Sequence, residues 1–210
     1  YPPGSIFKVV DALAYLREHG TIDGFQYTCN GKITVDGHTI PCFGGGVHGT
    51  EDFTTAFAES CNTAFTQIGL DLGKTALTSA AESLLFNSKL PVALDYNKSK
   101  FDLGENPGNP LLMQTSIGQG NTLVSPMHMA LITSAIANKG KLMEPYYIDH
   151  VETVSGRTVE TTKPKLYKEL MTESEAQVLK NLMAEVVTRG TGTQLSGETY
   201  SAAGKTGSAE

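Results

Sequence analysis

Ser5 and Lys8 stand three residues apart near the start of the chain, a spacing that on a helix sets both side chains on one face. The pair reads as a nucleophile beside its base. A serine hydroxyl attacks poorly at neutral pH unless a neighbour takes its proton, and a lysine can do so only where burial or nearby cations keep it neutral. Phe7 and Val9, flanking Lys8, supply apolar surroundings. Alone, such a spacing arises often by chance.

Two further motifs carry complementary groups. Ser60-Cys61-Asn62 holds a hydroxyl and a carboxamide two apart. From a loop or helix start both can point into one cleft, Ser60 relaying a proton between Lys8 and a leaving amine and Asn62 binding a peptide carbonyl. Lys205-Thr206-Gly207 sets a cation and a hydroxyl, suited to a carboxylate, beside a glycine that lets a substrate approach the backbone. The Ser208 N–H would then join the Ser5 N–H as an oxyanion hole. Taken singly, each has an ordinary reading, since Ser and Asn cap helices and a glycine can simply end a strand.

The elements that must position these groups follow from pattern. Ser5 to His19 reads as a helix stopped by Gly20, with Ile6, Phe7, Val9, Val10, Leu13, Ala14 and Leu16 at helical spacing behind a Pro-Pro-Gly entrance. Lys32 to Val35 and Thr39-Ile40 flank Asp36-Gly37, a hairpin signal, and Gly44 to Gly46 mark a loop. Thr50 reads as the N-cap of an apolar-periodic run to Leu72, one long helix or two broken ones, with Ser60-Cys61-Asn62 inside it. Residues 87–110, rich in Pro and Gly, read as an irregular connection of the kind that often borders a cleft.

Pro126 to Lys139, between Ser125 and Gly140, is apolar enough around its girth to be expected as the buried core helix. Tyr146 to Val151 and Arg157 to Thr161 form a second hairpin about Ser155-Gly156. Thr172 with Glu175 is a capping box opening a helix to about Thr188. Gly190-Thr191-Gly192 ends it, and Tyr200 to Glu210 reads as a strand carrying Lys205. Together these elements give a mixed α+β (α/β) class, a helix-rich subdomain packed on an incomplete antiparallel sheet.

The 210 residues suit one domain or two small ones, with a composition of 40% hydrophobic and 18% charged residues that is typical of folded globular chains. Acidic residues outnumber basic ones, giving a net charge of −6, which argues against nucleic acid as a partner. No apolar stretch reaches the ~18 residues of a membrane helix and no leader pattern opens the chain, so it reads as soluble. Both ends read as cut: the first helix begins at once, and the last motif closes the sequence.

Cys29, Cys42 and Cys61 are too few for a disulfide scaffold and lack the paired spacing of a structural zinc site. Cys29 and Cys42 flank the hairpin and either pair or remain thiols. A zinc reading would recruit His38 and His48.

The order Ser-x-x-Lys, Ser-x-Asn, Lys-Thr-Gly is the motif set of penicillin-binding proteins and serine β-lactamases. The resemblance extends to P-G-S-I-F-K, H-G-T-E-D-F with A-E-S-C-N-T-A-F, S-I-G-Q-G through S-P-M-H-M-A, A-N-K-G and A-G-K-T-G-S-A-E. Across essentially its whole length the chain resembles the transpeptidase domain of penicillin-binding proteins, closest to the class B type, with 1–210 matching only the middle of such a domain. Ser208 stands where many relatives have threonine.

The resemblance implies acylation of Ser5 by a D-Ala-D-Ala stem peptide, loss of the terminal D-Ala and transfer of the acyl group to an amine, with β-lactams acylating the same serine. It also implies a membrane-anchored parent at the extracytoplasmic face of the bacterial membrane, working with cell-wall synthesis partners. Gly118-Gln119-Gly120 is expected to support the cleft floor. No cofactor is required, because the acyl-enzyme supplies the covalent step.

A serine β-lactamase shares the motifs but adds a water-activating glutamate. Glu82 and Asn87 approach such a motif with the spacing off by one, so Glu82 reads as a solvated helix residue. A D,D-carboxypeptidase and a β-lactam sensor that stays acylated remain alternatives.

Overall fold

The computed structural model describes residues 1–197 and 199–208. The expected first helix forms as a 3-10 turn, Gly4–Phe7, running into helix α1, Lys8–His19. Gly20 stops it in the left-handed region at φ 75°, its N–H donating to the Leu16 carbonyl, a conformation that costs glycine least. Most of α1 is buried, including Lys8, Val9, Val10, Leu13 and Ala14.

Strand β1 (Tyr27–Cys29) pairs antiparallel with β4 (Gly49–Glu51), and between them lies the hairpin of β2 (Lys32–Val35) and β3 (His38–Pro41). Its turn residues Asp36 and Gly37 have φ of 50° and 76°, as a two-residue turn between twisted strands requires. Thr50, expected as a helix cap, lies in β4. The caps are instead Asp52, which accepts from the Thr55 N–H to open α2 (Phe53–Ala58), and Cys61, which accepts from the Ala64 N–H to open α3 (Asn62–Ser83). A carboxylate accepts that bond better than the threonine two residues earlier. The apolar run therefore breaks in two, and the break falls at Ser60.

Residues 87–108 are irregular but do not border the cleft described below. Phe101 instead stacks on Phe7 at 5.7 Å between ring centroids, so this connection closes the core under α1. It leads into α4 (Asn109–Thr115). Helix α5 (Pro126–Ala137) buries only one face, His128, Leu131, Ile132, Ala135 and Ile136. Ala130, Ala137 and Met127 are apolar enough to raise overall hydrophobicity yet sit acceptably in water, so composition named the wrong core helix; α1, packed on α3 and α6 (Glu173–Arg189), fills that place.

Strand β5 (Lys141–Met143) pairs with β8 (Leu166–Glu169), and β6 (His150–Glu152) with β7 (Thr158–Thr161). The capping box of Thr172 and Glu175 opens α6 as expected. The architecture is mixed α+β, its antiparallel pairing divided among four two-stranded ribbons in the described residues. The strand expected over 200–210 is not formed: residues 201–208 pair with no strand in the described residues, because none lies beside them to complete a ladder. Ala209 and Glu210 lie outside the described residues.

Candidate active site

The helix–turn–helix break and the returning C-terminal segment meet the start of α1. Ser60 adopts φ 58°, a left-handed conformation costly for a residue with a Cβ and characteristic of functional turns. That turn aims both its hydroxyl and its carbonyl at Lys8.

Lys8 is fully buried. Its Nζ lies 3.2 Å from Ser5 Oγ, 2.7 Å from the Ser60 carbonyl, 3.2 Å from Ser60 Oγ and 2.8 Å from Asn62 Oδ1. An ammonium has three hydrogens for these four partners. A neutral amine fits them differently: it donates to the two short-range carbonyl oxygens, which can only accept, and its lone pair receives the Ser5 O–H. Burial lowers the Lys8 pKa to about 8, opposed by nearby thiols and carboxyls, with Cys61 and Asp11 foremost. The shell is therefore built for a lysine that can lose its proton near neutrality.

Lys205 reaches the same hydroxyl, Nζ to Ser60 Oγ 2.8 Å. Its pKa falls to about 7, first through burial and then through the charge of Lys8. Three contacts hold this segment without a sheet. The Gly204 N–H donates to the Met183 carbonyl of α6, the Thr206 hydroxyl meets that of Thr191, and Gly207 packs onto the turn that carries Ser5. A Cβ on Gly207 would stand 2.9 Å from Ile6 Cγ2, so only glycine fits without displacement.

Gly118 supports the turn from beneath. Its φ is 75°, its carbonyl accepts from the Gly4 N–H at 2.9 Å, and a Cβ there would overlap the Gly4 carbonyl. Asn62 uses its amide as well, Nδ2 donating to the Pro41 carbonyl at 3.1 Å. That bond fixes which end of the carboxamide faces Lys8.

A cleft of about 420 Å³ opens on this cluster, lined by Ser5, Ser60, Asn62, Thr206, Gly207 and Ser208. All eight residues singled out from the sequence thus meet here, Lys8 and Lys205 by direct hydrogen bonds. Four further lining residues were not singled out for the site: Phe43, Glu59, Thr191 and His48. Glu59 adjoins Ser60 in sequence and Thr191 lies in a glycine-flanked turn, but nothing in the sequence pointed Phe43, 89% exposed, toward the cleft. Glu82 is exposed on α3 outside the cleft, and Asn87 clips the chain by two hydrogen bonds to the Phe101 backbone.

Cys29 and Cys42 are free thiols with their sulfurs 3.6 Å apart. His48 approaches Cys42, whereas His38 is exposed on β3 and joins no such group.

The arrangement can deprotonate a serine, hold a carboxylate and pass a proton between two amines through one hydroxyl. The family model of the penicillin binding protein transpeptidase domain matches residues 1–210. The chain is 32% identical to the peptidoglycan D,D-transpeptidase PbpA of Mycolicibacterium smegmatis, covering all of this chain and 43% of that protein. It is similar to the solved D,D-transpeptidase domain of a peptidoglycan glycosyltransferase from Eggerthella lenta, with TM-score 0.89, 27% identity and 100% and 54% of the two chains covered. The penicillin G acyl-enzyme complex of penicillin-binding protein A from M. tuberculosis matches with TM-score 0.79 and 32% identity over 90% and 44% of the chains. The chain spans 33% and 43% of the length of two such curated relatives.

Proposed function

The chain belongs to the penicillin binding protein transpeptidase domain family, and from that membership we propose that it is a serine D,D-transpeptidase that cross-links peptidoglycan stem peptides and is acylated by β-lactams. The observation that carries this reading is the buried Lys8 amine, 3.2 Å from the Ser5 hydroxyl with two carbonyl oxygens taking its hydrogens.

Ser5 Oγ attacks the carbonyl carbon of the penultimate D-Ala while its proton passes to Lys8 Nζ. Lys205 and Thr206 hold the terminal carboxylate. The Ser5 N–H, in the first helical turn where amides lack intrahelical acceptors, and the Ser208 N–H stabilise the oxyanion. Lys8 then returns the proton through Ser60 Oγ to the departing D-Ala nitrogen as the C–N bond breaks. An acceptor amine attacks the resulting ester, and its proton goes back along the same path to Ser5. Asn62 contacts the substrate amide with the N–H that Pro41 leaves free.

The two lysines share protons rather than titrating separately. Burial lowers both, Lys205 to about 7 and Lys8 to about 8, so either amine can hold the proton near neutrality. A carboxylate arriving at Lys205 favours the charged form there. A proton on Lys8 then passes to Ser60 Oγ as Ser60 gives its own to Lys205, which leaves Lys8 neutral as the base.

This reading sets the parent outside the cytoplasmic membrane, where peptidoglycan lies, anchored there with cell-wall synthesis partners. No helix among the described residues is long and apolar enough to cross a membrane. The test is incubation with a stem pentapeptide ending in D-Ala-D-Ala, with and without an amine acceptor. A new amide to the acceptor with release of D-Ala is expected. Hydrolysis alone would replace the transpeptidase with a carboxypeptidase, and a penicillin adduct without any peptide turnover would replace it with a sensor.

A further inference from the structure

Beside the cleft, four side chains from four segments converge on one buried point: Cys29 at the end of β1, Cys42 after β3, His48 before β4 and Cys61 at the start of α3. One ligand atom from each lies within 4.8 Å of every other. We propose that these residues form a structural site for a thiophilic divalent cation, zinc foremost, in a Cys3His tetrahedron.

The spacings fit a metal better than any other use. Tetrahedral zinc, with Zn–S near 2.3 Å and Zn–N near 2.0–2.1 Å, requires ligand atoms about 3.5–3.8 Å apart. Cys29 Sγ and Cys42 Sγ are 3.6 Å apart, and Cys42 Sγ lies 3.8 Å from both Cys61 Sγ and His48 Nδ1. A disulfide would pull one pair to ~2.05 Å and leave the third sulfur without a function.

Backbone amides face two of the sulfurs. The Gly31 N–H donates to Cys29 Sγ at 3.4 Å and the Ala64 N–H to Cys61 Sγ at 3.5 Å, while Cys42 Sγ donates to the Thr63 hydroxyl at 3.7 Å. Such outer donors orient ligating sulfurs and stabilise their charge. A second, independent sign is Glu51. Its side chain is wholly buried with both carboxylate oxygens lacking a hydrogen-bond partner in the described residues, and Oε2 lies 3.9 Å from His48 Nδ1. A polar group buried without a partner is costly, and this one faces the four ligand atoms.

The cation would pin the β1–β4 ribbon, the β2–β3 hairpin and the turn that holds Ser60 and Asn62, since Cys61 stands between those two. Loading displaces the thiol protons into solvent.

The test is metal analysis of the chain purified without added chelator, followed by removal of metal and titration with cobalt(II). One zinc per chain is expected, with thiolate-to-cobalt charge transfer and intense tetrahedral d–d bands, and loss of at least tenfold in affinity in Cys29→Ser. Cys29→Asp, which keeps an anionic ligand, retains binding more weakly and serves if the serine variant fails to fold. Absence of bound metal with featureless cobalt spectra would overturn the site. So would equal metal in the wild type and Cys29→Ser, or an intact mass two hydrogens lower with only Cys61 open to alkylation. None of these readouts depends on peptide chemistry at Ser5.

Discussion

Lys205 Nζ lies 2.8 Å from the Ser60 hydroxyl, and Lys8 Nζ lies 3.2 Å from the same oxygen. Two cations brought this close to one hydroxyl repel each other's protons, so one hydroxyl governs where the pair's charge resides. Ser60→Ala breaks that path without removing either amine. Acylation by penicillin is expected to slow ~10²–10⁴-fold, the range for loss of a positioned proton carrier, while the thermal midpoint moves little; stopped-flow acylation beside calorimetry measures both.

The pH profile follows from the two amines. Activity requires Lys8 neutral, which favours rising pH through about 8, and Lys205 protonated, which is lost as pH rises through about 7. The second-order acylation constant for a carboxylate-bearing β-lactam is therefore expected to be bell-shaped, with its optimum between those values and its limbs belonging to the coupled pair. Lys205→Met removes the alkaline fall and lowers the constant throughout.

Gly118→Ala should unseat the nucleophile. The glycine is at φ 75° against the Gly4 backbone, which cannot yield as a side chain would. A loss of at least ~1–3 kcal/mol is expected from strain of this kind, read as a lowered denaturation midpoint, with acylation slowed in the fraction that remains folded.

Asp11, one turn beyond Lys8, is fully buried with both oxygens unpartnered among the described residues, and burial raises its pKa well above the ordinary range. A carboxyl whose folded pKa is raised is harmless below its unfolded value and costs stability as pH climbs past it. Asp11→Leu, of similar volume, should therefore be more stable than the wild type by a margin that grows above about pH 4. Urea unfolding at several pH values tests this; a margin that shrinks with rising pH would refute it.

Much of this was legible in the residues. That Ser5, Lys8, Ser60 and Lys205 would meet was readable because each motif sets its groups at fixed spacing, and the Asp36-Gly37 turn and Thr172 capping box because they are local. What escaped depended on distant partners. Asp52 and Cys61, rather than Thr50, cap the helices because of where the chain turns. The segment around Lys205 pairs with no strand among the described residues. His48 joins the cysteines only through the β1–β4 pairing, with spacings of 12, 5 and 12 intervening residues that match no local zinc pattern.

The central claim is that Ser5 is the acylated nucleophile, and intact-protein mass spectrometry after exposure to penicillin tests it most directly. Wild type and Ser5→Ala are compared, each checked for folding by circular dichroism. One covalent adduct per wild-type chain and none on the variant is the expected result. An adduct that persists in Ser5→Ala, or none on a folded wild-type chain, would contradict it.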